Sequence, residues 1–590
     1  MINATTVHPT RSARAAVWTE AASLAGFCAY LFFFGLGSFG LVGADEPRYA
    51  QVAREMLARH DWITPTINGV PWLEKPVLYY WGAMLSYSLF GVSDWAARVP
   101  SAVAASAMVV AAYLFMRRLR PGSQLDAALI AASSAGVIGF ARAASTDMSL
   151  TATFVMGMLA WYTWRDSERR IWLATFYVLM ALGTLAKGPV APALAALIIV
   201  VFALARREVR LVARTLWWPG IAAFLVVSLP WYLAVQAKTG TFFRVFLLEH
   251  NLERFGSNLF QHRQPFWYYL PVLVLGVMPW TVMLLRAFFP AARAAGEMAS
   301  NGTAEAVPLR KVEEHYPAAE AARDFRIFLL AWAAVPLVFF TFSQSKLPGY
   351  ILPAIVPLTI LVAERLHRTG ERPTESPPSA AKAAVRLALD GTAKAVPLRG
   401  TESLAIVLLH AAAAGGLLAG VLLAPSFLVH VQPSGMAIAL AAGAGLLVAV
   451  GIAATVRMQG LRTLRFVTLV PVVLGVAFIV RIAAPTVDAT QSARPVAQAI
   501  NRLEMRQTPI AVFQVRREVE YGLNFYLNRQ IQRYERGEIP AADHLVLAKT
   551  GAEAELQKAL GARRLSHLPG YAAQGLEFYW VSGPMEHHMH

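Results

Sequence analysis

The chain has 590 residues, 56% hydrophobic and only 15% charged, with a mean hydropathy of +0.47. Soluble domains carry about 25% charged residues, so a soluble globular protein is excluded and a polytopic α-helical membrane protein is implied. The formal net charge of +17 implies no nucleic-acid partner here, because membrane chains retain Lys and Arg in their cytoplasmic loops.

A basic stretch with Arg11 and Arg14 leads into the first apolar run, 18–40. The run has no small-residue cleavage site before it and is expected to stay as an anchor. The single cysteine, Cys28, lies inside it, which rules out a disulfide framework or a cysteine-based metal site. A span needs about 20 apolar residues. Further spans are expected at 96–116, 124–142, 147–164, 171–187, 189–205, 215–235, 265–286, 325–342, 349–364, 403–424, 436–456 and 466–484, making about thirteen in all.

Residues 76–92 are also apolar but short, and Tyr79, Tyr80 and Trp81 suit an interface. If this segment lies along the surface, the Arg clusters at 117–120, 165–170, 206–214, 364–372 and 457–465 all fall on the side of Arg11 and Arg14. That side is then cytoplasmic. The external segments become 41–95, 142–147, 187–189, 236–264, 343–349, 425–435 and everything after 485. The two long inner loops hold a near-repeat, GTAEAVPLR (302–310) and GTAKAVPLR (391–399), with no assigned role.

The chain thus divides into a membrane domain, 1–485, and an external domain, 486–590. In the second, helical patterns near 489–506 and 552–562 alternate with apolar runs at 509–515, 544–549 and 576–581, predicting a small α/β fold.

The external segments gather the unusual polar groups. The first holds Asp45, Glu46 and Arg48 in ADEPRYAQ, then Glu74 and Lys75 in WLEKP. Asp147 ends ARAASTD, and Lys187 lies in LAKGP. His250 and Arg254 occur in EHNLERF, His262 precedes PFWYY, and Lys346 and Tyr350 belong to SQSKLPGY. Each has a plain structural alternative: helix caps or ion-pair partners for the acids, interfacial snorkelling for the lysines, and ordinary polar loop positions for the histidines. Together on one face they have the mixture of acid, base, His and Tyr that a reaction site needs. Lys and Arg bind phosphate, and a nearby carboxylate stabilises positive charge on a sugar carbon. Glu74 with His250 or His262 suits a divalent cation such as Zn²⁺. The aromatics at 79–81 and 266–269 offer either a groove for a lipid chain or a plain interfacial belt.

On these motifs, in this order, the chain resembles the GT-C glycosyltransferases, within the family of protein O-mannosyltransferases and their bacterial relatives. Its nearer likeness, on WLEKP, SKLPGY, the thirteen spans and the external C-terminal domain, is to the lipid A 4-amino-4-deoxy-L-arabinose transferases. The resemblance implies a bacterial inner-membrane enzyme working at the periplasmic face, acting as a monomer among membrane lipids. Its donor would be undecaprenyl phosphate carrying the sugar, its acceptor a lipid A phosphate, and its outcome resistance to polymyxin and cationic peptides. An inverting-type transfer would use Asp45 with Asp147 and Glu46 as the acidic set. Arg48 and Lys75 would hold the donor phosphate, helped by Lys187, Lys346, Tyr350 and Arg254. An acceptor phosphate is already largely ionised near pH 7 (second pKa about 6), so Asp45 is expected to steady the sugar rather than to remove a proton. Two other readings stay open: a related transferase with a protein or other lipid acceptor, and a transporter of a lipid-linked sugar. Transporters place charges near the bilayer midplane and often show inverted repeats, neither of which is visible here.

Overall fold

The computed structural model describes residues 11–246, 264–288, 317–370, 404–503 and 508–583. Among them, eight helices are long and apolar enough to cross a membrane, or ten if two sharply bent helix pairs each count as one span. In chain order, α1 (Arg11–Cys28) runs on to Phe33. The segment that follows carries α2 (Asp45–Ala58), the short hairpin β1 (Thr66–Ile67) and β2 (Val70–Pro71), and α3 (Leu78–Phe90). Then come α4 (Asp94–Leu119), α5 (Gln124–Ser133), α6 (Ala135–Ala141), α7 (Thr146–Ser167), α8 (Arg170–Lys187), α9 (Val190–Arg206), α10 (Arg210–Thr215) and α11 (Trp218–Thr239). After these lie α12 (Tyr269–Val277), α13 (Thr281–Phe288), α14 (Pro317–Phe342), α15 (Leu352–Gly370), α16 (Leu404–Leu428), α17 (Gly435–Gln459) and the composite α18 (Leu461–Gln491). Each expected span falls on one of these helices or helix pairs.

Two spans expected as single helices are broken. The α5–α6 pair bends by 65° at Ser134, and the α12–α13 pair by 112° at Met278–Trp280. Pro279 has no N–H to continue the second helix. Breaks inside a membrane survive only where the freed backbone groups find partners. Here the two breaks serve each other. Ala135 N–H donates to the Met278 carbonyl at 2.9 Å, and the Trp280 indole donates to Ser133 Oγ at 2.8 Å.

Charge segregates to the two ends of the bundle. At the Arg-rich end, Arg120 pairs with Glu364 at 3.3 Å, Arg465 with Asp126 at 2.5 Å, and Arg165 and Arg206 with Asp324 at 2.8 and 2.7 Å. The opposite end carries α2, α3 and the acid-bearing loops. The 76–92 segment is the 13-residue helix α3, packed on α2 and α4. Its Tyr79 and Tyr80 are fully buried against Tyr49, with centroids 6.1 and 6.2 Å from that ring, and they line no lipid groove. Phe266 and Trp267, by contrast, stand exposed as belt residues do.

Past α19 (Arg494–Arg502), the C-terminal part builds a five-stranded mixed sheet from β3 (Ile510–Phe513), β4 (Gln532–Arg533), β5 (His544–Lys549), β6 (Arg564–Tyr571) and β7 (Leu576–Ser582), in the order β4-β3-β5-β7-β6. β3 runs parallel to β4 and β5, and β7 runs antiparallel to β5 and β6. α20 (Arg517–Leu527) joins β3 to β4, and α21 (Glu553–Leu560) follows β5. The expected runs at 509–515, 544–549 and 576–581 are β3, β5 and β7. β4, β6 and α20 were not expected. β6 is an edge strand holding Pro569, and its polar pattern hides it.

α20 also docks this unit on the membrane half. Arg54 donates to the Phe525 carbonyl at 2.9 Å, and the Asn524 amide to Asn68 at 2.6 Å. Tyr526 OH donates to Asp94 at 2.5 Å and accepts from Leu41 N–H at 2.6 Å. Arg494 pairs with both Asp94 and Asp488, at 2.9 and 2.8 Å.

Candidate active site

α2 begins with Asp45 and Glu46 in its first turn, where carboxylates suit the positive end of the helix dipole, and with Pro47, whose missing N–H costs nothing there. Successive helical residues point about 100° apart. The two acids therefore part company. Asp45 stays 59% exposed and pairs with Arg48 one turn along. Glu46 turns inward and is buried.

Glu46 is fully occupied. Its Oε1 accepts from Ala144 N–H at 2.7 Å and from Arg98 Nε at 3.1 Å; its Oε2 accepts from Val42 N–H at 2.8 Å and from Arg98 Nη2 at 2.7 Å. Arg98 is 1% exposed, and its remaining N–H groups reach the carbonyls of Leu36, Phe39 and Gly40 at 2.8–2.9 Å. All five guanidinium donors are used. Expected among the catalytic acids, Glu46 has its carboxylate taken up by this network, which ties the 36–46 loop to the loop that carries Asp147.

Arg48 sits in an aromatic cradle, 5.3 Å from the Tyr49 ring centroid, 4.9 Å from Trp72 and 5.5 Å from Tyr521. Burial works against its charge, but Tyr49, Asp45 and Glu74 prevail and hold its pKa above the ordinary arginine value. Tyr521 comes from α20, so the C-terminal unit supplies one wall of this site. Tyr49 is buried between the two acidic loops. Desolvation lifts its hydroxyl pKa well above the usual range, and the charges of Asp45 and Asp147 add to the effect.

Asp147 stands in the first turn of α7, where Ser145 caps the helix by accepting from Asp147 N–H at 3.1 Å. The Asp147 carboxylate accepts from Ser145 Oγ at 2.9 Å and pairs with Lys187, the last residue of α8. Lys75 also lies near enough for its charge to act on Asp147. The Lys187 ammonium rests 4.8 Å from the Tyr350 ring centroid. Gly349 packs flat on the Asp147 carboxylate, where a Cβ would fall 2.6 Å from Oδ1 and 2.9 Å from Phe140. Alanine at Gly349 is therefore expected to push Asp147 away from Lys187. Initial-rate measurements should show a loss of about 10²-fold, the usual consequence of an ångström's misplacement in a reaction site.

Lys346, expected at the phosphate, is buried. It donates to the carbonyls of Ser343 at 2.8 Å and Gln264 at 3.3 Å, holding the SQSKLPGY loop in place. Beside Phe140 and Pro348, an apolar cavity of about 330 Å³ opens between the two broken helix pairs, bounded by Gly136, Leu275, Gly276 and Ile355. His250, Arg254 and His262 lie outside the described residues, as do both copies of the near-repeat. Among the described residues no group of three or more His, Cys, Asp or Glu side chains comes together to hold a metal. The charge of Glu74 acts on Arg48. The described residues alone do not make a metal site.

Arg98, Asp94, Arg494 and Tyr521 were not picked out from the sequence. Arg98 had a signal, as a charge inside an apolar run. The other three had none of their own.

A bundle of broken and continuous membrane helices, with an acid-bearing surface segment at one end and a small sheet unit docked on it, is the GT-C glycosyltransferase fold. The crystal structure of ArnT from Cupriavidus metallidurans bound to undecaprenyl phosphate superposes with a TM-score of 0.68 at 21% identity, covering 97% of this chain and all of that one. Residues 18–246, which include both acidic loops, match the family model for dolichyl-phosphate-mannose-protein mannosyltransferase. The undecaprenyl phosphate-alpha-4-amino-4-deoxy-L-arabinose arabinosyl transferase of Pseudomonas aeruginosa (strain UCBPP-PA14) is 33% identical over 339 residues, 56% of each chain. The transferase of the same name from Yersinia enterocolitica is 33% identical over 351 residues, 58% of each chain. The match thus spans less than two thirds of the length of these relatives.

Proposed function

We propose that this protein transfers 4-amino-4-deoxy-L-arabinose from undecaprenyl phosphate to a lipid A phosphate at the periplasmic face of a bacterial inner membrane, working as a single chain. The observation that carries this reading is the pairing of an exposed acid, Asp45, with a cradled Arg48 at the membrane-boundary end of the bundle, in a chain similar to transferases of that name. Placing this end outside follows from the opposite end's arginines.

In the proposed reaction an acceptor phosphate oxygen attacks the anomeric carbon of the sugar. The bond from that carbon to the undecaprenyl phosphate oxygen breaks, and the leaving phosphate keeps the electron pair. No proton need be removed from an ionised acceptor. Arg48 and Lys75 hold the leaving phosphate, with Lys187 and Tyr350 beside it. Asp45 faces the sugar and its 4-ammonium group, and Asp147 fixes Lys187. The apolar cavity beside Phe140 takes the first isoprene units of the donor. The product carries an added positive charge, which lowers the affinity of lipid A for polymyxin and other cationic peptides.

The test is an in vitro assay of the purified chain with the lipid-linked donor and lipid A, read by mass spectrometry of the lipid. Lipid A carrying one added aminoarabinose supports the reading; sugar found only on protein or another lipid overturns the acceptor. A divalent ion held by Glu74 with His250 or His262 is part of the same proposal. Exhaustive chelation is then expected to stop transfer, with added Zn²⁺ restoring it. Activity unchanged by chelation removes the metal.

A further inference from the structure

The Arg-rich end, remote from the acids, carries a second feature that the transfer reaction does not use. A cavity of about 640 Å³ lies where α9 turns through Arg207–Val209 into the short helix α10. Its charged walls are Arg165, Asp166, Arg207, Glu208, Arg210 and Arg214. Most are already neutralised. Glu208 pairs with Arg165 and Arg206, each at 3.6 Å, Asp166 with Arg118 at 3.8 Å, and Arg214 with Glu168 at 2.6 Å. Arg207 and Arg210 are both exposed, and among the described residues neither has a carboxylate partner.

The other face of α10 closes an apolar groove of about 280 Å³ between α8, α9 and α11, lined by Phe176, Met180, Ala196, Ile199, Val212 and Leu216. Cavity and groove share α10 as their common wall. From Pro192 to Val200 the groove follows α9 for about 12 Å, toward the bilayer centre. Val209, Leu216 and Trp218 flank the arginines and are exposed, as residues at a headgroup boundary are. Two guanidinium groups without a carboxylate partner at one face of α10, and a hydrocarbon-lined groove on its other face, complement one ligand class. Basic pockets between membrane helices on the cytoplasmic side bind anionic headgroups in this way.

We propose that this end binds an anionic phospholipid, its phosphodiester at Arg207 and Arg210 and one acyl chain in the groove beside Ala196. The site stands apart from the candidate active site and does not depend on the reaction assigned there.

Native mass spectrometry of the full chain, released from nanodiscs containing phosphatidylglycerol and phosphatidylcholine in equal amounts, tests this. The wild type is expected to retain phosphatidylglycerol preferentially. The double variant Arg207→Gln/Arg210→Gln should lose that preference by about 30-fold, at the usual contribution of a basic residue near an anionic membrane surface. Ala196→Trp fills the groove while leaving the arginines intact, and should lower retention as well. Equal retention by wild type and double variant overturns the proposal. So does displacement of the lipid by excess inorganic phosphate together with full retention in Ala196→Trp, since the site would then recognise phosphate alone.

Discussion

Asp45→Asn is expected to slow transfer by about 10²–10³-fold while leaving donor binding within a few-fold of wild type. The substitution preserves size and a hydrogen bond to Arg48 but removes the charge. Asp45 is the exposed acid of the pair, and among the described residues its carboxylate pairs with Arg48 alone. In the proposed reaction positive charge grows on the anomeric carbon as the phosphate departs. A fixed carboxylate facing that carbon stabilises the transition state more than the ground state, and removing one such group typically costs about 10²–10³-fold in kcat. The donor phosphate keeps Arg48 and Lys75, so Kd for the donor should hold. Initial rates with saturating donor, beside a direct donor-binding titration, separate the two quantities. A near wild-type rate would remove Asp45 from the chemistry; lost binding with normal kcat would move it to donor recognition. Asp147→Asn is expected to do less to the sugar directly, because Asp147 is already engaged by Lys187 and Ser145.

The sequence made Asp45 and Glu46 look like a working pair because they are neighbours in the chain. Folded into the first turn of a helix, neighbours diverge, and only the helical phase of α2 relative to its core decides which one meets solvent. That phase was readable in principle: Tyr49, Ala50 and Ala53 define a buried face. The partner of Glu46 was not readable, since Arg98 lies 52 positions on and no local pattern links them. The same holds for Tyr521, which reaches Arg48 from a unit that hydropathy separates from the membrane domain. The spans were legible because each needs its own long apolar run. The breaks at Ser134 and Pro279 were less so, because window averages of hydropathy pass over them and the hydrogen bonds that tolerate them run between distant segments. Lys346 shows the remaining difficulty. A lysine beside a proline turn at a membrane edge suits phosphate binding, yet the loop's own carbonyls consume its ammonium.

Arg98→Met should be among the most damaging single substitutions in the membrane half, although Arg98 touches neither proposed substrate. It would leave the Glu46 carboxylate buried without its counter-charge and three carbonyls, of Leu36, Phe39 and Gly40, without donors. Removing one member of a buried, hydrogen-bonded ion pair costs about 3–5 kcal/mol. Arg98→Lys should be intermediate, because an ammonium restores the charge but has three donors where the site uses five. Glu46→Gln should cost about 1–3 kcal/mol: whichever way the amide turns, its NH₂ faces two donors, a backbone N–H and a guanidinium N–H. Thermal unfolding in nanodiscs is expected to rank the stabilities as wild type, Glu46→Gln, Arg98→Lys, then Arg98→Met. Activity supplies a readout that instability alone would not move. Glu46 accepts from Ala144, three residues before Asp147, so the clamp sets the spacing of the two acidic loops. Glu46→Gln assayed well below its melting temperature should therefore show reduced kcat with donor KM little changed. A Glu46→Gln protein that is destabilised yet turns over at the wild-type rate would mean that the clamp holds the fold without positioning Asp45 and Asp147.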